Sequence, residues 1–149
     1  MFASGEVRKL YPIECIPLLF FPMKLLLTTV ALLFLFFASV DAGSFGDVTT
    51  KKASSMISSK KGLLILDVRT PEEYAKGHLV NARLMNYYEK TFKDQLKTLP
   101  KDRTVLIYCK SGRRSAETLA MMKELGFSSA YNMLGGFDAW SKEKRRSTK

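Results

Sequence analysis

Thr104-Val105-Leu106-Ile107-Tyr108-Cys109-Lys110-Ser111-Gly112-Arg113-Arg114-Ser115 is the stretch on which the fold turns. Thr104 to Tyr108 is apolar and β-rich, and Cys109 to Arg114 is polar with one glycine. Ser115 to Leu125 then carries Ala116, Leu119, Ala120 and Met122 at helical spacing before Gly126. That order predicts strand, loop and helix. In parallel α/β sheets ligands bind at the carboxyl ends of strands, so this loop is where chemistry is expected. Backbone N–H groups of such a turn can converge, and the following helix adds its positive end, which together suit an anion.

The flanking sequence repeats the alternation. Leu63 to Val68 is a short apolar run ending in Asp67-Val68-Arg69, as expected of a strand buried in a parallel sheet. Thr70-Pro71-Glu72-Glu73 combines a capping hydroxyl, a proline in the first turn and a glutamate that closes a capping box. It predicts a brief helix to Lys76, ended by Gly77. Asp47 is expected to cap a helix through about Lys60, with Gly62 as its stop. A strand is expected within Leu79 to Met85, and a helix from Glu89 to Leu99 with Phe92, Leu96 and Leu99 inward. Ala130 to Leu134 is a last strand, Gly135-Gly136 a turn, and Phe137 to Trp140 the start of an amphipathic piece. Strands alternating with helices predict an α/β fold, an open parallel sheet of four to five strands with helices on both faces.

The 149 residues are 46% apolar and 26% charged, which fits one globular domain and excludes a disordered, collagenous or disulfide-dense chain. Lys and Arg total 24 against 14 acidic residues, and the net charge of +10 favours anionic ligands or surfaces. The apolar residues are unevenly spread. Met23 and Lys24 precede an uncharged run from Leu25 to Val40, and Val40-Asp41-Ala42 supplies a small-x-small exit, the pattern of an export signal. The expected organisation is a leader over 1–42, starting at Met23 and cleaved after Ala42, then one domain over 43–149 with a short basic tail. An uncleaved anchor is the competing reading. Cys15 falls in the leader, which leaves Cys109 alone in the domain. A cysteine without a partner in an oxidising compartment is either buried and inert or kept for reactivity.

A free thiol has a pKa of about 8.5, and beside helix amino ends or Lys and Arg it falls to roughly 3.5 to 7.5. A drop of two units requires about 2.7 kcal/mol, whereas one helix end contributes about 0.3 to 2 kcal/mol. Loop amides and the cations Lys110, Arg113 and Arg114 are therefore expected to act together on Cys109.

Leu66-Asp67-Val68-Arg69, Glu73-Tyr74, Gly77-His78-Leu79, the Cys109 loop with Gly112 and Arg114, and Gly135-Gly136-Phe137-Asp138-Ala139-Trp140 stand in the order of a known family. From about Asp47 to Trp140 the chain resembles a single-domain rhodanese, a thiosulfate sulfurtransferase, and with its leader it is most similar to the periplasmic phage-shock type of bacteria. The resemblance implies that Cys109 takes a sulfane sulfur from thiosulfate as a persulfide, releases sulfite, and passes the sulfur to cyanide or a thiol. It implies a donor site formed by Lys110, Ser111, Gly112, Arg113 and Arg114, with Arg69 beside it. No cofactor, metal or nucleic acid is implied. The partners are a small anionic sulfur donor and a thiol or cyanide acceptor, the protein is expected to be an exported monomer, and the membrane is met only through an uncleaved leader.

Two alternatives stand beside this. One is a persulfide carrier or interaction module that does not turn over by itself. The other is a cysteine phosphatase or arsenate reductase, in which five residues separate Cys from Arg. Four separate Cys109 from Arg114, and the smaller ring of amides suits a terminal sulfur better than a tetrahedral phosphoryl group. The family's usual Pro-Gly after the Gly-His step is here Val80-Asn81. Plainer readings hold elsewhere. Asp67 and Arg69 form an internal ion pair more readily than a substrate contact, His78 and Trp140 are structural, and the tail from Lys142 to Arg146 is solvated.

Overall fold

The structure, a computed structural model, describes residues 43–59 and 61–149. The expected leader over 1–42, with its start at Met23 and cleavage after Ala42, lies outside the described residues.

The described residues begin with a strand where a helix cap was expected. β1 (Ser44–Val48) runs through Asp47 and is followed by α1 (Thr50–Ser59). The cap is Thr49, whose hydroxyl accepts the Lys52 N–H at 3.2 Å. Gly46 and Asp47 are poor strand formers. β1 exists because its backbone pairs in parallel with β6 (Ser129–Met133), from Ser44 opposite Ser129 to Val48 opposite Met133. No local pattern in the sequence announces that partner.

β2 (Leu64–Asp67) leads to α2 (Pro71–Ala75), whose capping box at Thr70 and Glu73 is formed. The single strand expected within residues 79–85 is instead two short ones, β3 (His78–Leu79) and β4 (Ala82–Leu84). Asn81 turns the chain between them at φ 64°, a left-handed conformation that asparagine tolerates, so the turn survives without glycine. α3 (Phe92–Lys97) is shorter than expected, β5 (Thr104–Tyr108) is as expected, and α4 (Arg113–Glu124) starts two residues early, at Arg113. α5 (Gly136–Lys142) and β7 (Ser147–Thr148) complete the described chain.

The five strands of the main sheet run in the order β1-β6-β5-β2-β4, all parallel, as the alternation of strands and helices implied. β5 is central and its side chains alternate. Val105 and Ile107, with Cys109 beyond them, face Phe92, Leu96 and Met122 of α3 and α4. Leu106 and Tyr108 face Ala53, Met56 and Trp140 of α1 and α5. This period of two divides the core into two layers, and it fixes which face of the sheet receives Cys109.

The basic tail is tied down. β7 pairs antiparallel with β3, and the Trp140 indole N–H donates to the Arg146 carbonyl at 3.1 Å. Its side chains are mostly exposed, as expected, while its backbone is docked. Among the described residues no helix is long and apolar enough to cross a membrane.

Candidate active site

Cys109 follows the last residue of β5 and is 1% exposed. The Gly112 N–H donates to its Sγ at 3.1 Å. The Ser115 hydroxyl lies 3.4 Å from the same sulfur and 3.1 Å from the Gly112 carbonyl, so its one proton has two acceptors within reach. Burial pushes the Cys109 thiol up. The Ser115 hydroxyl and the N–H groups of Ser115, Gly112 and Ser111 overcome that cost and leave the thiol below its ordinary value. The donors are therefore amides and one hydroxyl.

Glycines hold this loop in place. Gly112 sits at φ 105° directly before α4, a conformation that L side chains rarely adopt. A Cβ there would meet the Gly135 nitrogen at an ordinary 3.4 Å, so backbone conformation, more than crowding, makes the position glycine. Gly136 is tighter. Its φ is 54°, and a Cβ on it would lie 2.4 Å from the Cys109 carbonyl and 2.5 Å from that of Lys110. Those carbonyls accept the N–H groups of Phe137 at 2.8 Å and Asp138 at 3.0 Å. Gly135-Gly136 thus does more than turn the chain: it lets α5 clasp the loop from behind.

The cations are arranged differently from the expectation that they act jointly on the sulfur. Lys110 is exposed at the rim. Arg113 is 75% exposed along its side chain and lies 3.6 Å from Glu117. Arg114 forks onto Glu73, with its two terminal nitrogens 2.8 and 2.9 Å from the carboxylate oxygens, and it stands 5.5 Å from the Tyr88 ring. Arg69 is 3% exposed. It donates to Asp67 at 2.6 Å and to the Gly77 carbonyl at 2.8 Å, and its guanidinium lies 4.1 Å from the centre of Phe137. It also borders a cleft of about 220 Å³ shared with Glu73, Lys76, Lys110, Phe137 and Asp138. Ser111 is exposed and contributes its amide.

His78 stands apart from the thiol chemistry. Its ring stacks on Tyr74 with centroids 3.6 Å apart, and its Nδ1 lies 3.1 Å from the Tyr74 carbonyl. Two residues of this region carry more than the sequence suggested. Ser115 was legible only as the start of a helix, although a hydroxyl in the first turn after a loop cysteine was available as a signal. Glu73 was legible as a cap, and nothing local pointed to Arg114, which is 41 residues away. Among the described residues no cluster of His, Cys, Asp or Glu could hold a metal ion.

A parallel α/β domain that seats one thiol in a hollow of amides at the tip of its central strand defines a recognisable class. Residues 49–143 match the rhodanese-like domain family, and the chain belongs to it. The chain is 36% identical over 105 residues to the probable adenylyltransferase/sulfurtransferase MoeZ of Mycobacterium tuberculosis, a match covering 70% of this chain and 27% of that protein. It therefore spans about a quarter of that relative's length. A sulfurtransferase of Allochromatium vinosum is 30% identical over 96 residues, covering 64% of this chain and 88% of the relative. The thiosulfate sulfurtransferase GlpE of Pseudomonas putida is 31% identical over 81 residues, covering 54% and 72%. Among solved structures, a rhodanese-like domain protein of Staphylococcus aureus superposes with a TM-score of 0.58 at 34% identity, covering 64% of this chain and 90% of its own.

Proposed function

We propose that this protein is a sulfurtransferase that carries a sulfane sulfur on Cys109 as a persulfide. The observation that carries the reading is the buried sulfur facing the Gly112 N–H at 3.1 Å and the Ser115 hydroxyl at 3.4 Å, with its thiol pKa lowered against the effect of burial. The names of relatives at about 30% identity support the same chemistry. A thiolate is the nucleophile that such chemistry needs.

The donor is thiosulfate. The Cys109 thiolate attacks its outer sulfur, an S–S bond forms, and the bond between the two donor sulfurs breaks as sulfite leaves with the electron pair. Cyanide or an acceptor thiolate then attacks the outer sulfur of the persulfide and returns Cys109 to the thiolate. Lys110, Ser111, Gly112 and Arg113 form the rim that meets the donor, and Arg114 braces the loop from the side. Arg69, paired and bonded to the Gly77 carbonyl, supports the neighbouring turn. We further propose an exported protein of the phage-shock type, supported by Lys24 and the uncharged run from Leu25 to Val40.

Intact-mass measurement after exposure to thiosulfate tests the reading. One added sulfur is expected on the protein and none on Cys109→Ser, with sulfite released continuously when cyanide is present. Loading without turnover would point to a carrier. No loading, or faster turnover of p-nitrophenyl phosphate or arsenate than of thiosulfate, would overturn the reading.

A further inference from the structure

Three arginines stand around the Cys109 loop, and each meets a carboxylate: Arg69 with Asp67 at 2.6 Å, Arg113 with Glu117 at 3.6 Å and Arg114 with Glu73 at 2.8 Å. Asp67 also accepts the Arg69 N–H at 3.0 Å, but Glu73 alone of the three joins two helices, and its carboxylate is fixed twice. The same Oε2 that receives Arg114 also accepts the Thr70 N–H at 3.1 Å, while the Glu73 N–H donates to the Thr70 hydroxyl at 3.3 Å. Glu73 is thus set by the amino end of α2 independently of Arg114. Arg114 is the second residue of α4, the helix that opens at the Cys109 loop, and it is 8% exposed. Its charge and that of the Cys109 thiolate act on each other.

We propose that Glu73 is a positioning residue for the reaction at Cys109: its carboxylate draws Arg114 across from α4 to α2 and offsets the guanidinium charge in the first turn of the helix that follows the Cys109 loop. This rests on Cys109 being the reacting group. The physical reason lies in what a free cation at this place would do. An uncompensated guanidinium binds the anionic donor and the anionic product alike, and binding both equally lowers KM without helping the chemical step. It would also hold sulfite in the hollow. With Arg114 committed to Glu73, the sulfur is held as thiolate by the loop amides and Ser115, and product leaves a less cationic site. The other charged groups nearby are Lys110 at the rim, Lys76 and Asp138 in the same cleft, the Arg113–Glu117 pair, and Arg69, whose charge also reaches Glu73.

The test is the pH dependence of Cys109 alkylation at low ionic strength, read together with steady-state kinetics. Glu73→Gln removes the negative charge and is expected to lower the alkylation midpoint by about 0.5 pH unit or more. It is also expected to lower both KM for thiosulfate and kcat, and to tighten inhibition by sulfite. Adding Arg114→Ala to Glu73→Gln should move the midpoint back up. Thr70→Ala keeps the carboxylate but weakens the cap, and should reduce melting temperature without moving the midpoint. A midpoint in Glu73→Gln at or above that of the unmodified protein overturns the proposal and leaves Glu73 as a helix cap. If Glu73→Gln does not fold, Glu73→Asp is measured, which keeps the charge on a shorter stem. A two- to tenfold loss of kcat/KM at an unchanged midpoint supports the proposal, and an unchanged kcat/KM overturns it. Alkylation is read on the free thiol, so its outcome is separate from any failure of sulfur to load.

Discussion

Ser115 and Gly136 decide what Cys109 can do, and neither is itself the nucleophile. The Ser115 hydroxyl is the strongest influence drawing the Cys109 thiol down, and its proton can serve either the sulfur or the Gly112 carbonyl. Ser115→Ala should raise the midpoint of iodoacetamide alkylation toward the free-cysteine value of about 8.5, while the melting temperature changes little. An unmoved midpoint would assign the thiolate to the amides alone. Gly136 acts through space. A methyl group there would press on the Cys109 and Lys110 carbonyls at 2.4 and 2.5 Å, both backbone atoms with little freedom to retreat. Gly136→Ala should cost about 1 to 3 kcal/mol and slow sulfur loading at least tenfold, because the displaced carbonyls carry the loop with them. Denaturant melts and loading followed by mass would show both effects.

At the level of elements, the site depends on two helices joined at their amino ends. α2 is only five residues long and none of them is buried, so it is held by its capping box, by Arg114 of α4 and by Tyr74, which packs on the core and donates to the Ala82 carbonyl at 2.8 Å. Arg114, burial and the Thr70 N–H act on the Glu73 carboxyl, and the net result is a pKa held down to about 2 from an ordinary 4.5. The sign follows from linkage. A carboxyl whose folded pKa is depressed adds stability that is complete above the unfolded value and is lost as pH falls through the folded one. Thermal melts should therefore lose stability between about pH 4.5 and 2, and Glu73→Gln should flatten that part of the curve. Equal slopes in both proteins would show that the pair is not maintained in solution.

For the whole molecule, stability and site reactivity are separable because the sheet divides the core. Cys109 belongs to the layer under α3 and α4, whereas Trp140 belongs to the opposite layer with Tyr108 and Leu106. Trp140 is 4% exposed and also anchors the tail through the Arg146 carbonyl. Trp140→Ala should cost about 3 to 5 kcal/mol of stability, releasing β7 with it. At temperatures where the variant remains folded, the alkylation midpoint of Cys109 should stay within about 0.2 pH unit of the parent, since the donors to its sulfur all lie within residues 111–115 and α5 reaches the loop through the Cys109 and Lys110 carbonyls, bound by the Phe137 and Asp138 N–H groups at its first turn. A larger displacement would show that the two layers are coupled, through β5 or through the hold of α5 on the loop.

The sequence alone determined the parallel α/β class, the strand, loop and helix around Cys109, and the capping box at Thr70, because each rests on a short-range pattern: a period of two, a period of 3.6, or a fixed spacing of capping groups. Its family motifs brought the sulfurtransferase reading with them. β1 was hidden because Gly46 and Asp47 have no strand preference and are held only by β6, more than 80 residues away. The split of β3 from β4 and the docking of the tail depend on the pairing of His78 with Thr148, which no local signal encodes. The fate of the cations was equally hidden. Sequence placed Arg113 and Arg114 next to a cysteine, but the direction of a side chain is set by its partner. Glu73 and Glu117 are brought to them only when α2 meets α4 and when α4 completes its first turns.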